Sequence, residues 1–173
     1  NKEEKIMADL LWQPSQDRIE STNMYDFMTR VNQRFGKDFS AYPELWEWSV
    51  DNLEDFWAMA WDYLDITASV PYEQVIRDQD KMPGAKFFTG SKLNFAENLL
   101  KFRNDNTALV FRGEDKVRRT LTYNQLYDEV AQTAAALKGC GVVPGDRVVG
   151  FVPNMPESII AMLAATSLGA IWS

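Results

Sequence analysis

Apolar positions recur at helical spacing in the first part of the chain, and from about residue 106 onward strand and helix patterns follow one another. Over residues 23–35, Met24, Phe27, Met28, Val31 and Phe35 share one helical face, and Gly36 follows as the stop. Residues 43–50 supply a short turn of helix. A longer helix is predicted over 51–66, where Leu53, Phe56, Trp57, Ala60, Trp61 and Leu64 make a continuous apolar stripe. A polar arm up to Ser21 precedes these helices, and its Leu10, Leu11 and Trp12 carry enough apolar surface to dock. Residues 71–90 contain Pro71, Pro83, Gly84 and Gly90 among mixed charges, which predicts a surface crossing with a short helix at 72–76. Residues 91–102 form a compact helical or turn segment.

The pattern then alternates. Residues 107–112 and 117–121 predict two strands joined by the turn Gly113, Glu114, Asp115, Lys116, a hairpin that leads directly to a capping box. Thr122 offers its hydroxyl to the first helical turn while Gln125 reaches back, and Leu121 with Leu126 is spaced as a hydrophobic staple. Leu126, Val130, Ala134 and Leu137 give that helix one apolar face, and Gly139 is expected to close it. Pro144, Gly145 and Asp146 make a tight turn. The apolar run 147–152 suits a strand buried on both faces. Pro153, Asn154 and Pro156 end the strand, and Asn154 with Glu157 reads as a second capping signature. A buried helix over 159–168, Gly169 as its stop, and a strand from Ala170 laid parallel to the previous one complete the pattern.

These elements predict an α/β fold. A helical, aromatic-rich N-terminal extension, residues 1–105, is followed by a β-hairpin and the first βαβ of an incomplete, mostly parallel sheet, residues 106–173. A last strand barely begun leaves an unpaired apolar edge, so the sequence reads as a piece of a longer protein.

Composition narrows the classes. The 173 residues are 46% hydrophobic and 25% charged, ordinary values for a folded domain. No run approaches the roughly 18 apolar residues of a membrane span, and no signal-peptide core is present, so a cytoplasmic protein without membrane partners is expected. A net charge of -7 opposes general attraction to nucleic acid.

The absence of histidine removes Ser-His and Cys-His pairs and the usual zinc sites. Cys140, the single cysteine, sits between Gly139 and Gly141, where a small side chain in a tight connection is the expected role. Five of the six tryptophans, Trp12, Trp46, Trp48, Trp57 and Trp61, lie in the first half. At helical spacing they are expected in a core; a carbohydrate or peptide groove is the alternative. Gly139, Gly141 and Gly145 do not form a dinucleotide fingerprint, because they follow a helix and enter a strand, the reverse of the order that places phosphate at a helix N-terminus.

The stretches RTLTYNQLYDEV and LKGCGVVPGDRVVGFVPNMPESIIAMLAATSLGAIWS resemble the opening core motifs of the adenylate-forming superfamily, which includes acyl-CoA synthetases, peptide adenylation domains and luciferases. Gln125 stands where many members have Glu. LWEWSVDNLEDFW, the K-F-F-x-G of residues 86–90 and LNFAENLL are similar to the helical extension of the acetyl-, propionyl- and acetoacetyl-CoA synthetase group. LNFAENLL combined with GAIWS is most similar to its acetoacetyl branch, since acetate-activating members usually carry His where Trp172 stands.

The resemblance implies an ATP-dependent acid–CoA ligase. ATP and a carboxylic acid, acetoacetate in the acetoacetyl branch, would give an acyl-adenylate with Mg, and CoA would then take the acyl group. The catalytic, cofactor-binding and metal-binding residues it implies fall beyond Ser173, so it carries none onto this chain, and residues 1–173 alone are expected to be inactive. The partners implied are the small acid and the remainder of the same polypeptide. Asn154, at the carboxyl end of the strand 147–152, is the one residue in a position where open parallel sheets bind ligands, and helix capping is its expected role. A catalytically inert module that binds a partner through the aromatic half or the open edge is the alternative reading of the chain.

Overall fold

The computed structural model describes residues 11–173 and divides into two compact units, Asn1–Asp65 and Ile66–Ser173. The first unit is helical. A short α1 (Gln16–Glu20), capped by Ser15, lies within the stretch that the sequence reads as a polar arm. Leu11 and Trp12 are exposed rather than docked, and Leu10 lies outside the described residues.

Helix α2 (Asn23–Phe35) has the predicted bounds. Thr22 caps its start by accepting from the Tyr25 amide, and Gly36 ends it in the left-handed conformation at φ 62°. Helix α3 (Tyr42–Asp51) is longer than the expected turn, and α4 (Leu53–Tyr63) is shorter than the expected helix because Asn52 leaves helical geometry between them. Phe27, Met28, Val31, Leu45, Trp48 and Met59 form the core, with Phe56 and Tyr63 packed against it.

That core corrects the predicted stripe on α4. Phe56, Met59, Ala60 and Tyr63 face inward, about a quarter turn from the centre of the predicted set at 100° per residue. Trp57, Leu53 and Leu64 are exposed. Among the tryptophans Trp48 is buried, at 6% exposure, whereas Trp46 is 54% exposed. The expectation of an aromatic core therefore holds for Trp48 and fails for Trp12, Trp46 and Trp57.

The second unit opens with β1 (Gln74–Arg77) paired antiparallel to β2 (Lys86–Thr89). This hairpin replaces the helix predicted at 72–76. The β-branched pair Val75 and Ile76 is buried, and pairing with residues 86–89 satisfies the backbone groups that one isolated helical turn would leave open. Helix α5 (Phe95–Leu99) follows within the predicted segment. Strands β3 (Thr107–Gly113) and β4 (Val117–Thr122) form the predicted antiparallel hairpin, with a bulge between Thr107 and Leu109.

Helix α6 (Tyr123–Gly139) starts at the predicted capping box: the Gln125 amide donates to Thr122 Oγ1 at 3.2 Å, and the Thr122 amide donates to Gln125 Oε1 at 2.9 Å. Leu121 and Leu126 meet in one core with Ala96, Leu100, Val130, Ile160, Leu163 and Ala164. Gly139 is the last helical residue, and the left-handed position belongs to Gly141 at φ 89°. The Gly141 amide donates to Lys138 and that of Val142 to Leu137, a Schellman closure that moves the stop two residues beyond the expected one.

Strand β5 (Arg147–Val148) is parallel to β6 (Ile171–Trp172), with helix α7 (Pro156–Ser167) between them in sequence. The predicted strand 147–152 pairs only at its start. Val149 is 75% exposed and Phe151 fully so, because β6 alone lies beside β5 and burial on both faces needs neighbours that these residues do not supply. The architecture is mixed: helices with small two-stranded sheets, two antiparallel and one parallel among the described residues. No helix among the described residues is long and apolar enough to cross a membrane.

Candidate functional site

The segment from Gly150 to Pro156, leaving β5 and entering α7, is where the sequence directs attention. Pro156 occupies the first turn of α7, and the cap is Met155 with no side-chain hydrogen bond. Proline has a φ suited to the first helical position and no N–H to leave unsatisfied, so it sets the start one residue later than a cap at Asn154 would. Asn154 is exposed and does not cap α7, which overturns the predicted capping signature. Its supposed partner Glu157 turns instead to Arg119 on β4.

Arg119 is the electrostatic centre of this end of the unit. Its Nη2 donates to both carboxylate oxygens of Glu129 on α6, at 2.6 and 2.7 Å, and its Nη1 donates to Glu157 on α7 at 2.5 Å. The hydrogen bonds to Glu129 raise the Arg119 pKa above its ordinary value, and Glu157 adds to the effect against the opposing influence of burial. The two terminal nitrogens of one planar guanidinium thus serve two carboxylates in fixed directions. The arrangement fixes the hairpin to the two helices and leaves the cation neutralised, so it is an anchor rather than a waiting anion site.

The other close feature is the parallel ladder. Ile171 N–H donates to Asp146 at 2.7 Å, Ser173 N–H to Val148 at 3.1 Å, and Gly150 N–H to Ser173 at 3.0 Å. Trp172 lies across Gly150 on this ladder. A second sequence feature also resolves into scaffolding: in LNFAENLL, Asn94 caps α5 by accepting from the Glu97 amide and donates to the Thr166 carbonyl at 2.9 Å, near the end of α7. Neither Arg119 nor Asn94 was singled out by sequence; the available signal was the Asn94 and Asn98 pair at a spacing of four, which places both on one face.

The cavities do not assemble a reaction centre. Asn154, Met155, Pro156 and Ile159 line one of about 110 Å³ with the hairpin, well under the roughly 300 Å³ of small-ligand pockets. A cleft of about 540 Å³ lies at the opposite end of α7, where Glu97, Lys101, Arg103 and Tyr127 mix both charges. In the first unit, Met24, Tyr42, Trp46, Phe56 and Leu64 surround an apolar groove of about 290 Å³. Cys140 is exposed at the exit of α6. Among the described residues no group of three or more His, Cys, Asp or Glu side chains is placed to hold a metal ion.

Comparison with known proteins gives this scaffold its setting. Residues 95–173 match the family model of AMP-binding enzymes, and residues 42–99 match the acetyl-coenzyme A synthetase N-terminus. The chain is 41% identical over 163 residues to an acetoacetyl-coenzyme A synthetase of Rhizobium meliloti, covering 94% of this chain and 25% of the relative. It is 42% identical over 176 residues to an acetoacetyl-CoA synthetase of Danio rerio, covering 99% and 26%. The structure of acetoacetyl-CoA synthetase from Streptomyces lividans superposes with a TM-score of 0.83 at 36% identity, over 96% of this chain and 26% of that one. The chain thus spans about a quarter of the length of the relatives it matches.

Proposed function

We propose, from a chain similar along nearly its whole length to acetoacetyl-CoA synthetases, that these residues are the N-terminal part of an AMP-forming acid–CoA ligase acting on acetoacetate. In the reaction proposed for the whole protein, a carboxylate oxygen of the acid attacks the α-phosphorus of ATP and pyrophosphate leaves. The CoA thiolate then attacks the acyl carbon, and AMP leaves. The observation that carries this reading is the agreement of backbone and sequence together, a TM-score of 0.83 at 36% identity over 96% of the chain.

In this reading residues 1–105 are the N-terminal extension, helical in its first unit and carrying the β1–β2 pair after it, and residues 106–173 begin the AMP-binding domain at the β3–β4 hairpin. The β5–α7–β6 unit is the first βαβ of a larger, mostly parallel sheet, which explains why Val149 and Phe151 face outward. No residue of this chain receives a catalytic, nucleotide-binding or CoA-binding role. Mg²⁺, proposed as a cofactor of the whole protein, is likewise assigned to none of its residues. A cytoplasmic location is part of the same proposal.

The test is pyrophosphate release by the full-length protein with ATP, CoA and a panel of acids. Acetoacetate is expected to exceed butyrate, the same four-carbon chain without the 3-oxo group, by about ten-fold or more in kcat/KM. Equal rates with butyrate would overturn the substrate, and no release with any acid would overturn the activity. Residues 1–173 alone are expected to release none.

A further inference from the structure

Asn98 holds the backbone of Thr67 in both directions. Its Oδ1 accepts from the Thr67 N–H at 2.9 Å, and its Nδ2 donates to the Thr67 carbonyl at 2.8 Å. The same Nδ2 donates to the Asn94 carbonyl at 3.0 Å, one turn back at the start of α5. A primary amide has the donors and acceptor for all three bonds, so this side chain reproduces the exchange of a hydrogen-bonded strand pair. Asn94 in turn donates to Thr166, so the attachment continues into α7.

Thr67 is the second residue of the second unit, which begins at Ile66. The next attachment along the chain is independent of Asn98: the Ser69 N–H donates to Lys92 at 2.8 Å, and the Lys92 N–H donates to Val70 at 3.0 Å. We infer that Asn98 is a latch on the entry of the chain into the second unit, releasing Thr67 and Ala68 when it opens. Closed, it makes the second unit hold the chain from Thr67; open, the hold begins at Ser69. Opening frees two residues of the entering chain, about 7 Å at full extension.

Hydrogen exchange read by mass spectrometry on the full-length protein tests this. The Thr67 amide is expected to be protected in the wild type, and Asn98→Ala is expected to speed its exchange about ten-fold or more while Lys92 keeps its protection, because exchange follows the population of the local open form. Thermolysin cleavage between Thr67 and Ala68 should rise in parallel. Asn98→Asp keeps the acceptor and the shape but loses both donations, so it should fall between wild type and Asn98→Ala; it serves if the alanine variant does not fold. Fast Thr67 exchange in the wild type would overturn the latch. So would unchanged exchange in the variants, or loss of protection at Thr67 and Lys92 together, which would make Asn98 a general support of the unit.

Discussion

The ring of Trp172 on β6 occupies the space in which residue 150 would place a Cβ: an ideal Cβ on Gly150 falls 2.6 Å from Trp172 Cη2. Gly150 does not have a positive φ, so close approach and not backbone freedom requires the glycine. Gly150→Ala should therefore destabilise the second unit by about 1–3 kcal/mol through displacement of the ring. Denaturant unfolding checks this, and the double variant with Trp172→Ala isolates the cause. With the ring removed, the added methyl should cost little, giving a clear departure from additivity.

Arg119 joins β4, α6 and α7 with a side chain that is two-thirds buried, and each carboxylate partner comes from a different helix. Arg119→Ala leaves Glu129 and Glu157 without their cation, and is expected to cost about 1–2 kcal/mol, more than an ordinary surface pair, because the Glu129 interaction is two-pronged and charge-assisted. Arg119→Lys should recover only part, since one ammonium nitrogen would replace the two nitrogens that reach Glu129 and Glu157 separately. Unfolding of the single and double variants with Glu129→Gln, in low salt and in 1 M salt, measures the coupling. It should persist in part at high salt, whereas a fully exposed pair would be screened away.

Glu44 predicts a pH dependence in the first unit. It reaches back from the first turn of α3 to the amides of Ser40 and Ala41 at 2.8 and 2.9 Å, and Ala41 has no side-chain acceptor with which to answer. The Ser40 amide, then that of Ala41, favours the carboxylate and lowers the Glu44 pKa. A pKa lower in the folded than in the unfolded chain stabilises the fold above the unfolded value of about 4.3, and that contribution is lost as pH falls through the folded value. The stability difference between wild type and Glu44→Gln, followed by tryptophan fluorescence, should thus be full at pH 6 and shrink below pH 4. A difference that is constant over this range would remove the charge from the explanation.

Local chemistry made much of this fold legible. The Thr122 and Gln125 capping box, the stop at Gly36 and the β3–β4 hairpin each depend on residues within a few positions of one another, so spacing alone places them. The failures depend on remote partners. Residues 72–76 are a strand because 86–89 pair with them, the inward face of α4 is chosen by α2 and α3, and the outward-facing Val149 and Phe151 depend on what lies beside β5. The candidate site is less legible: the sequence puts Asn154 at the end of a strand 147–152, whereas β5 ends at Val148 and Asn154 lies in the loop beyond it, without the predicted capping role. Arg119 and Glu157 lie 38 residues apart, and no local pattern joins them.

Asn154 is the residue on which the two kinds of reading separate most cleanly. A cap lost to alanine costs about 1 kcal/mol, and the sequence pattern predicts that loss. The structure gives the cap to Met155 and leaves the Asn154 side chain exposed, so Asn154→Ala should change stability by less than about 0.5 kcal/mol, the usual range for surface positions. Unfolding of the full-length variant measures this directly, and turnover measured beside it gives the second coordinate. Unchanged stability with unchanged turnover would make Asn154 an ordinary surface residue of the loop after β5. Unchanged stability with a large fall in turnover would point to a role for its amide in the ligand site, because a loss of capping or packing would lower stability as well. A loss of about 1 kcal/mol would instead restore the capping role and contradict the geometry at Pro156.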